Sequence, residues 1–181
     1  MKKLLTALAA SLAIAASPVM AKKPNMDSIY DTAYMDGRFT ILLELLDTVG
    51  LDGVLQDEGQ FTVFAPTDAA FEETFDAGVT AGDIVAVLDG ACGTDSVASS
   101  ATNILLHHVT DGRRWSNSVV GKNTKNIEML NAEYIWVRSD GSIRDASGAD
   151  EADIAIPDIN AKNGIVHAID YVLMPSELCV D

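Results

Sequence analysis

The chain has 181 residues and a formal net charge of −15, from 12 Lys and Arg against 27 Asp and Glu. A surface this acidic repels nucleic acids and anionic membranes, so partners of those two classes are excluded. The length fits one domain with its own hydrophobic core.

The first 21 residues have the pattern of a secretory signal peptide. Lys2 and Lys3 precede an apolar run over 4–16, and small residues before Ala21 offer a cleavage site. The run is too short for a membrane span. We therefore expect an exported protein, in the periplasm or the medium, that begins after Ala21 and has no membrane span.

The polar residues 22–35 show no periodicity and predict an extended lead-in, after which the domain occupies 36–176. Four apolar residues at helical spacing predict its first helix, with Asp36 as its cap and Gly50 as its end. These apolar residues are Phe39, Leu42, Leu43 and Leu46.

Residues 61–71 combine three local signals. Phe61 to Ala65 alternate as in a strand, and Pro66 lacks the amide that would continue a ladder. Thr67 and Asp68 can accept hydrogen bonds from the first amides of a following helix. A strand, a sharp end and a capped helix are predicted within eleven residues.

Two more helices are predicted before the chain becomes extended. Thr80 and Asp83 form a capping-box pattern, and the helix that follows is expected to end at Gly90. Small residues over 90–100 predict a loop that contains Cys92. A helix over 101–106 then leads into an extended segment over 107–110 and a turn at 111–112.

The second half of the chain has the sequence pattern of short strands separated by polar turns. We expect strands over 118–120, 126–130, 133–138, 142–144, 154–159 and 164–173. The last is almost continuously apolar, which is typical of a central strand covered on both faces. An acidic loop from Asp145 to Asp153 interrupts the series. Helices followed by strands predict an α+β fold.

Three segments resemble the signatures of the fasciclin domain family. They are FTVFAPTDAAF at 61–71, LLHHV at 105–109 and NGIVHAID at 163–170. The resemblance covers about 39 to 175. It implies a β-wedge or sandwich of mostly antiparallel strands with helices packed against it. Its structural motif positions in this chain are Thr67, Asp68, Asn163, Gly164, His167 and Asp170.

The resemblance also implies an adhesive role. The family's Tyr-His segment is associated with cell binding, and here His107 replaces the tyrosine while His108 matches the histidine. Both are therefore candidate interaction residues. The competing interpretation is that His108 forms hydrogen bonds inside the domain, where it holds the junction of helix and strand.

Cys92 and Cys179 are the two cysteines of the chain. In an oxidising compartment such a pair favours a disulfide, which would tie the tail 177–181 to the domain. Closing a loop of this length is expected to stabilise the fold by at most about 4–5 kcal/mol. A catalytic thiol or a pair of metal ligands are the alternatives.

No motif in the sequence argues for catalysis, a metal or a cofactor. His107 and His108 point to opposite faces of an extended chain, and His167 lies in an apolar strand, so a zinc site is not expected. Serine nucleophile motifs and phosphate-binding loops are absent. The acidic loop lacks the order of oxygen ligands found in an EF-hand calcium-binding loop, so a solvated loop is the favoured interpretation.

These observations predict a non-catalytic, exported module that binds a protein or a surface polysaccharide. Its candidate contact loop contains Arg113, Arg114 and Trp115, although an ordinary turn would look the same. Replacing both arginines with alanine is expected to weaken binding without changing the melting temperature. The alternative is a periplasmic enzyme or small-ligand carrier with a pocket near His108 or His167.

Overall fold

A computed structural model describes residues 28–56, 59–92, 97–148 and 151–179. The predicted signal peptide and residues 22–27 of the lead-in lie outside these ranges. The helices are α1 (Ile29–Asp36), α2 (Thr40–Val49), α3 (Asp52–Gln56), α4 (Asp68–Thr74), α5 (Ala81–Cys92), α6 (Val97–Leu106) and α7 (Ser116–Val119). The strands are β1 (Phe61–Pro66), β2 (Val109–Asp111), β3 (Lys125–Glu128), β4 (Tyr134–Val137), β5 (Ser142–Arg144), β6 (Glu151–Ala161) and β7 (Gly164–Ile169).

The strands form one sheet in the order β2-β1-β7-β6-β5-β4-β3. Every neighbouring pair is antiparallel except β1 and β7, which run parallel with Phe61 opposite Gly164. The predicted α+β architecture of mostly antiparallel strands is confirmed. The closing strand lies beside the strand at Phe61, as the pattern of two buried apolar strands predicts.

Strand β6 divides the sheet into two halves. Its first residues pair with β5 and its later residues with β7, and the register shifts twice between Ile154 and Ile159. Pro157 and Asp158, which has a φ of 62°, occupy this irregular stretch. Irregular pairing of this kind bends a strand, so the sheet bends along β6, between its two halves.

The two halves differ in what covers them. The helix-covered half consists of β1, β2, β7 and the later part of β6, and its core residues Val63, Val166 and Ala168 pack with the helices. The opposite face of β1 and β7 contributes Phe64 and Ile169 to a second core. That second core also contains the inward residues of β3, β4 and β5. These three strands and the first residues of β6 form the open half of the sheet.

Helix α1 contradicts the prediction of an extended lead-in over 22–35, at residues 29–35. Ser28 caps the helix by accepting a hydrogen bond from the amide of Asp31, and Ile29 packs into the main core. Asp36 is the last residue of α1, so the prediction that it caps the next helix is wrong. A short helix fixed by one cap and by tertiary packing gives little periodicity to detect.

Other element boundaries also differ from the predictions. Helix α5 continues past Gly90 to Cys92, because an exposed helical glycine weakens a helix without ending it. Residues 116–119 form helix α7, which overlaps the strand expected over 118–120. Strand β7 ends at Ile169, four residues before the predicted end.

The disulfide between Cys92 and Cys179 is present, with an S–S distance of 2.00 Å. It joins the end of α5 to the C-terminal segment across a separation of 87 residues. The same segment is held by Glu133, whose carboxylate accepts from the amide and hydroxyl of Ser176. The C-terminal residues are thereby fastened to both helices and strands.

Candidate functional site

His108 is buried at the junction of α6 and β2 and uses both of its ring nitrogens. Nδ1 donates to the carbonyl oxygen of Ile104 at 2.7 Å, and Nε2 accepts from the amide of Leu173 at 2.9 Å. Burial, with a smaller contribution from the neighbouring His107, lowers its pKa to about 3. The ring is therefore a neutral cross-link between the end of α6 and the segment after β7.

A cavity of about 10 Å³ lies beside His108, between the helices and Val172. Its other lining residues are apolar, and its volume is at the limit for one water molecule. It is far smaller than the pockets that hold metabolites or drugs. The position where a small-ligand pocket was considered is thus filled by core side chains.

His167, on β7, is the second buried histidine with two partners. Nε2 donates to the carbonyl oxygen of Arg114 at 2.9 Å, and Nδ1 accepts from the amide of Asp158 at 3.2 Å. Burial lowers its pKa, and its ring lies 5.6 Å from that of Phe64. This histidine holds the irregular part of β6 and the segment before α7 against β7.

His107 is also fully buried. Its Nδ1 donates to the amide oxygen of Asn131 at 3.1 Å, with a carboxylate oxygen of Glu133 at 3.6 Å, while Nε2 has no hydrogen-bond partner among the described residues. Burial lowers its pKa. The proposal that His107 and His108 are surface contact residues is therefore wrong for this conformation, since neither ring reaches solvent.

The loop of Arg113, Arg114 and Trp115 is firmly held. The guanidinium of Arg113 donates to the carbonyl oxygens of Ala161 and Lys162 and to the side-chain oxygen of Asn160. Its expected role as a freely presented charge is thus corrected, because the group closes the turn between β6 and β7.

The neighbours of Arg113 differ in how much they present to solvent. The amide of Arg114 donates to the hydroxyl of Thr62 at 2.8 Å, so its backbone is fixed to β1. Trp115 is 40% exposed and precedes α7. Trp115 is the member of the trio whose side chain is best placed for a contact.

The motif residues of the first signature join two helices. Thr67 caps α4, its hydroxyl accepting from the amide of Ala70 at 3.2 Å. Asp68 accepts from the amide of Ile41 at 2.9 Å, which places its carboxylate at the first turn of α2. The prediction that Asp68 caps its own helix is wrong, because Thr67 already fills that position and α2 lacks a side-chain cap of its own.

Two motif residues of the closing signature, Asn163 and Gly164, lie at the other end of β1 and β7, whereas Asp170 lies at the same end as Thr67. Asn163 is buried, accepts from the amide of Ile29 at 2.7 Å and donates to the carbonyl oxygen of Leu55 at 3.0 Å. Gly164 approaches β1 so closely that a Cβ there would lie 2.1 Å from the oxygen of Phe61. Asp170 accepts from the amide of Asp153 at 2.7 Å.

The acidic loop begins with a buried residue. Asp145 is 3% exposed, and its carboxylate accepts from the hydroxyl of Ser147 and the amides of Gly148 and Met174. The expected solvated loop is therefore corrected at its first position. Over the described residues, no group of three or more His, Cys, Asp or Glu side chains is arranged to hold a metal ion.

An exposed aromatic surface in the open half was missed by the sequence analysis. Tyr134 and Trp136 on β4 alternate with Ile135 and Val137, which are fully buried. Tyr134 is 44% exposed and Trp136 is half-buried. This alternation indicates a strand with one outward face, but Tyr134 and Trp136 were not among the predicted site residues.

In the part of the chain that the structure describes, no helix is long and apolar enough to cross a membrane.

The comparisons with known proteins agree on one family. The model of the fasciclin domain family matches residues 37–175. The Synechocystis protein named uncharacterized protein sll1735 is 30% identical over 149 residues, which cover 82% of this chain and 98% of that protein.

Transforming growth factor-beta-induced protein ig-h3 of Sus scrofa is also 30% identical, over 84% of this chain but 20% of its own length. The chain therefore spans about a fifth of that relative. A solved FAS1 domain pair from the insect cell adhesion molecule fasciclin I superposes with a TM-score of 0.65 at 17% identity. It covers 85% of this chain and 53% of that one, and it supports the fold.

Proposed function

Because this chain belongs to the fasciclin domain family, we propose that it is a non-catalytic, exported interaction module that binds a protein or a polysaccharide at a cell surface or in the extracellular matrix. The observation that carries the proposal is the state of His108 and His167. Both rings have two internal hydrogen bonds, so the polar groups nearest the family motifs serve the fold.

The alternative of a periplasmic enzyme or small-ligand carrier receives less support. It required a pocket at His108 or His167 that a substrate could enter. The low pKa of His108 arises from burial, and the adjoining cavity is too small for a metabolite. A general base must also reach the proton that it removes, and both of these rings are already bonded.

Export is part of the proposal. The N-terminal sequence has the signal-peptide pattern, and a disulfide fits an oxidising compartment. The full chain expressed in a bacterial host is expected to appear outside the cytoplasm with Lys22 as its first residue. N-terminal sequencing of the exported protein checks this, and an intact Met1 on the exported protein would contradict it.

The binding role is tested with the mature protein on a bacterial envelope extract and on a panel of polysaccharides. Retention on either partner class, without chemical change of the partner, is the expected result. Turnover of an envelope component, or retention on neither class, would overturn the proposal.

Alanine variants of Trp115 and Arg113 distinguish a side chain available for a contact from one that stabilises the loop. Trp115→Ala removes an exposed side chain and is expected to leave the melting temperature near that of the wild type. Arg113→Ala removes the donor to the part-buried carbonyl oxygen of Ala161 and to the exposed one of Lys162, and should cost about 1–3 kcal/mol of stability. The expectation that alanine at both Arg113 and Arg114 leaves the melting temperature unchanged is therefore replaced, and thermal denaturation of the Trp115 and Arg113 variants measures the difference.

A further inference from the structure

The open half of the sheet presents an outward surface of exposed and half-buried side chains on β3 to β5. We name it the outer face and define it by its five side chains, which are Asn126, Glu128, Tyr134, Trp136 and Arg144. Four of them are exposed and Trp136 is half-buried. The inward residues of the same strands form the second core, so this surface rests on a packed support.

The strand register brings these side chains together. Trp136 lies opposite Asn126 on one neighbouring strand and opposite Arg144 on the other. Tyr134 lies opposite Glu128 and is two residues from Trp136 on the same face. Residues two apart on a strand are separated by about 7 Å, so both aromatic rings can contact one extended ligand.

The chemistry of the outer face combines aromatic surface with hydrogen-bonding groups. Indole and phenol rings offer apolar faces with polar edges. The amide of Asn126, the carboxylate of Glu128 and the guanidinium of Arg144 supply both donors and acceptors. A pyranose sugar has the complementary form, with a C–H face that stacks on an aromatic ring and hydroxyl groups around its rim.

Resting on the proposed function, we propose that the outer face binds a neutral polysaccharide of pyranose units. Trp136 and Tyr134 stack on the sugar rings, and Asn126, Glu128 and Arg144 hydrogen-bond their hydroxyl groups. The proposed binding site thus lies on β3 to β5 and does not include the loop of Trp115.

Charge and composition distinguish this partner from the others. Glu128 and Arg144 have opposite charges, so the face lacks the single sign that would select a nucleic acid or an acidic polymer. The exposed residues of β3 to β5 include no aliphatic side chain. Trp, Tyr and Arg are also enriched in protein interfaces, but the desolvated centre of such an interface is depleted of Glu, and here Glu128 lies directly opposite Tyr134.

The two tryptophans of the chain allow each surface to be observed separately, since Trp115 and Trp136 are the only ones. Trp115→Phe leaves Trp136 as the single indole fluorophore, and Trp136→Phe leaves Trp115. The probes are soluble β-glucan, mannan and dextran, with polygalacturonate as the acidic comparison. Addition of a neutral probe is expected to change the emission of the variant that retains Trp136 and not that of the variant that retains Trp115.

Affinity electrophoresis through the same probes measures the binding itself. Trp136→Ala is expected to weaken binding about tenfold, and Tyr34→Ala, at an exposed aromatic residue of α1, to leave it unchanged. Because Trp136 is half-buried, circular dichroism melting checks that its variant is folded. Tyr134→Ala, at a more exposed position, is the second variant and should weaken binding in the same direction.

Four results would overturn the inference, and they differ in what they say about the proposed function. Binding of an envelope protein but of no neutral probe, preference for polygalacturonate, or loss of binding in Trp115→Ala alone would reject the outer face and keep an interaction module. Binding of neither probe nor envelope component would reject both. Emission change at Trp136 with weakened binding in Trp136→Ala and Tyr134→Ala supports the inference.

Discussion

The helix-covered half and the open half of the sheet use polar side chains in opposite ways. In the helix-covered half, His108, His167 and Asn163 are buried and hydrogen-bonded within the chain. In the open half, Asn126 and Arg144 lie on an exposed face. Buried polar groups stabilise one conformation when they are paired, whereas exposed ones are available to a partner.

The charges of the sequence are also unevenly divided along the chain, although residues 113–181 include β7 of the helix-covered half as well as the whole open half. Residues 39–112 contain no Lys or Arg and thirteen Asp or Glu, whereas 113–181 contain seven basic residues and eleven acidic ones. Basic side chains that can bind a partner therefore come mostly from the strand-rich part of the chain. The comparison predicts that changes in the helix-covered half alter stability, and that changes on the outer face alter binding.

Removal of the disulfide should have the largest effect on stability. Replacing both cysteines with serine frees a loop of 87 residues, and the lost chain-entropy restraint corresponds to at most about 4–5 kcal/mol. Urea unfolding of the variant and of the wild type measures the difference. A reducing agent should bring the wild type to the stability of the variant and leave the variant unchanged. Loss of polysaccharide binding in the folded variant would contradict the division between the halves.

Gly164→Ala should follow, at about 3 kcal/mol. The new Cβ would lie 2.1 Å from the backbone oxygen of Phe61 and 2.6 Å from a methyl carbon of Ile29. Backbone cannot rotate away, so β1 and β7 must separate. Gly90→Ala is the matched control, because Gly90 is exposed, helical and has nothing within 4 Å of its added Cβ. Equal stability of the two variants in urea unfolding would show that the close approach is not needed.

Acid should weaken the helix-covered half through its histidines. The pKa of His108 is lowered by burial from 6.5 to about 3, so the unfolded chain binds its proton more readily than the folded one. Its contribution is complete above about pH 6.5 and is lost on acidification, by about 1.4 kcal/mol for each pH unit down to about pH 3. The lowered pKa values of His107 and His167 act with the same sign.

Urea unfolding at about pH 7 and about pH 5 measures this loss. His108→Gln keeps a neutral hydrogen-bonding side chain, so the variant should lose less stability between the two pH values than the wild type. Equal losses would mean that carboxylates or the other two histidines cause the acid sensitivity.

The parts of the fold that were predictable depend on contacts close in sequence. Thr67 caps its helix three residues on, and Thr80 and Asp83 exchange hydrogen bonds within one turn. The apolar run at 164–169 likewise identifies a buried strand by its own composition. Such signals survive in any tertiary context that keeps the element.

What was not predictable depends on distant partners. The acceptors of Arg113 lie 47 to 49 residues further along the chain, so a residue expected to be free is fixed by a turn that the local sequence does not reveal. The ring of His107 likewise bonds to Asn131, which lies 24 residues further along the chain. Arginine and histidine are suited to contacts and to internal bonds alike, and only the packing decides which role they take.

Asp68→Ala should have the smallest of these effects on stability. It tests whether Asp68, in the first signature, caps helix α2. The amide of Ile41 would lose the acceptor that now lies 2.9 Å away, and α2 has no side-chain cap at Phe39 to replace it. Loss of a cap costs about 1 kcal/mol. Asp68→Asn keeps an oxygen at the same position and should retain most of the stability, while Thr67→Ala should cost a similar amount through α4. If alanine and asparagine at position 68 are equally stable in urea unfolding, the carboxylate does not cap α2, and the motif acts on its own helix alone.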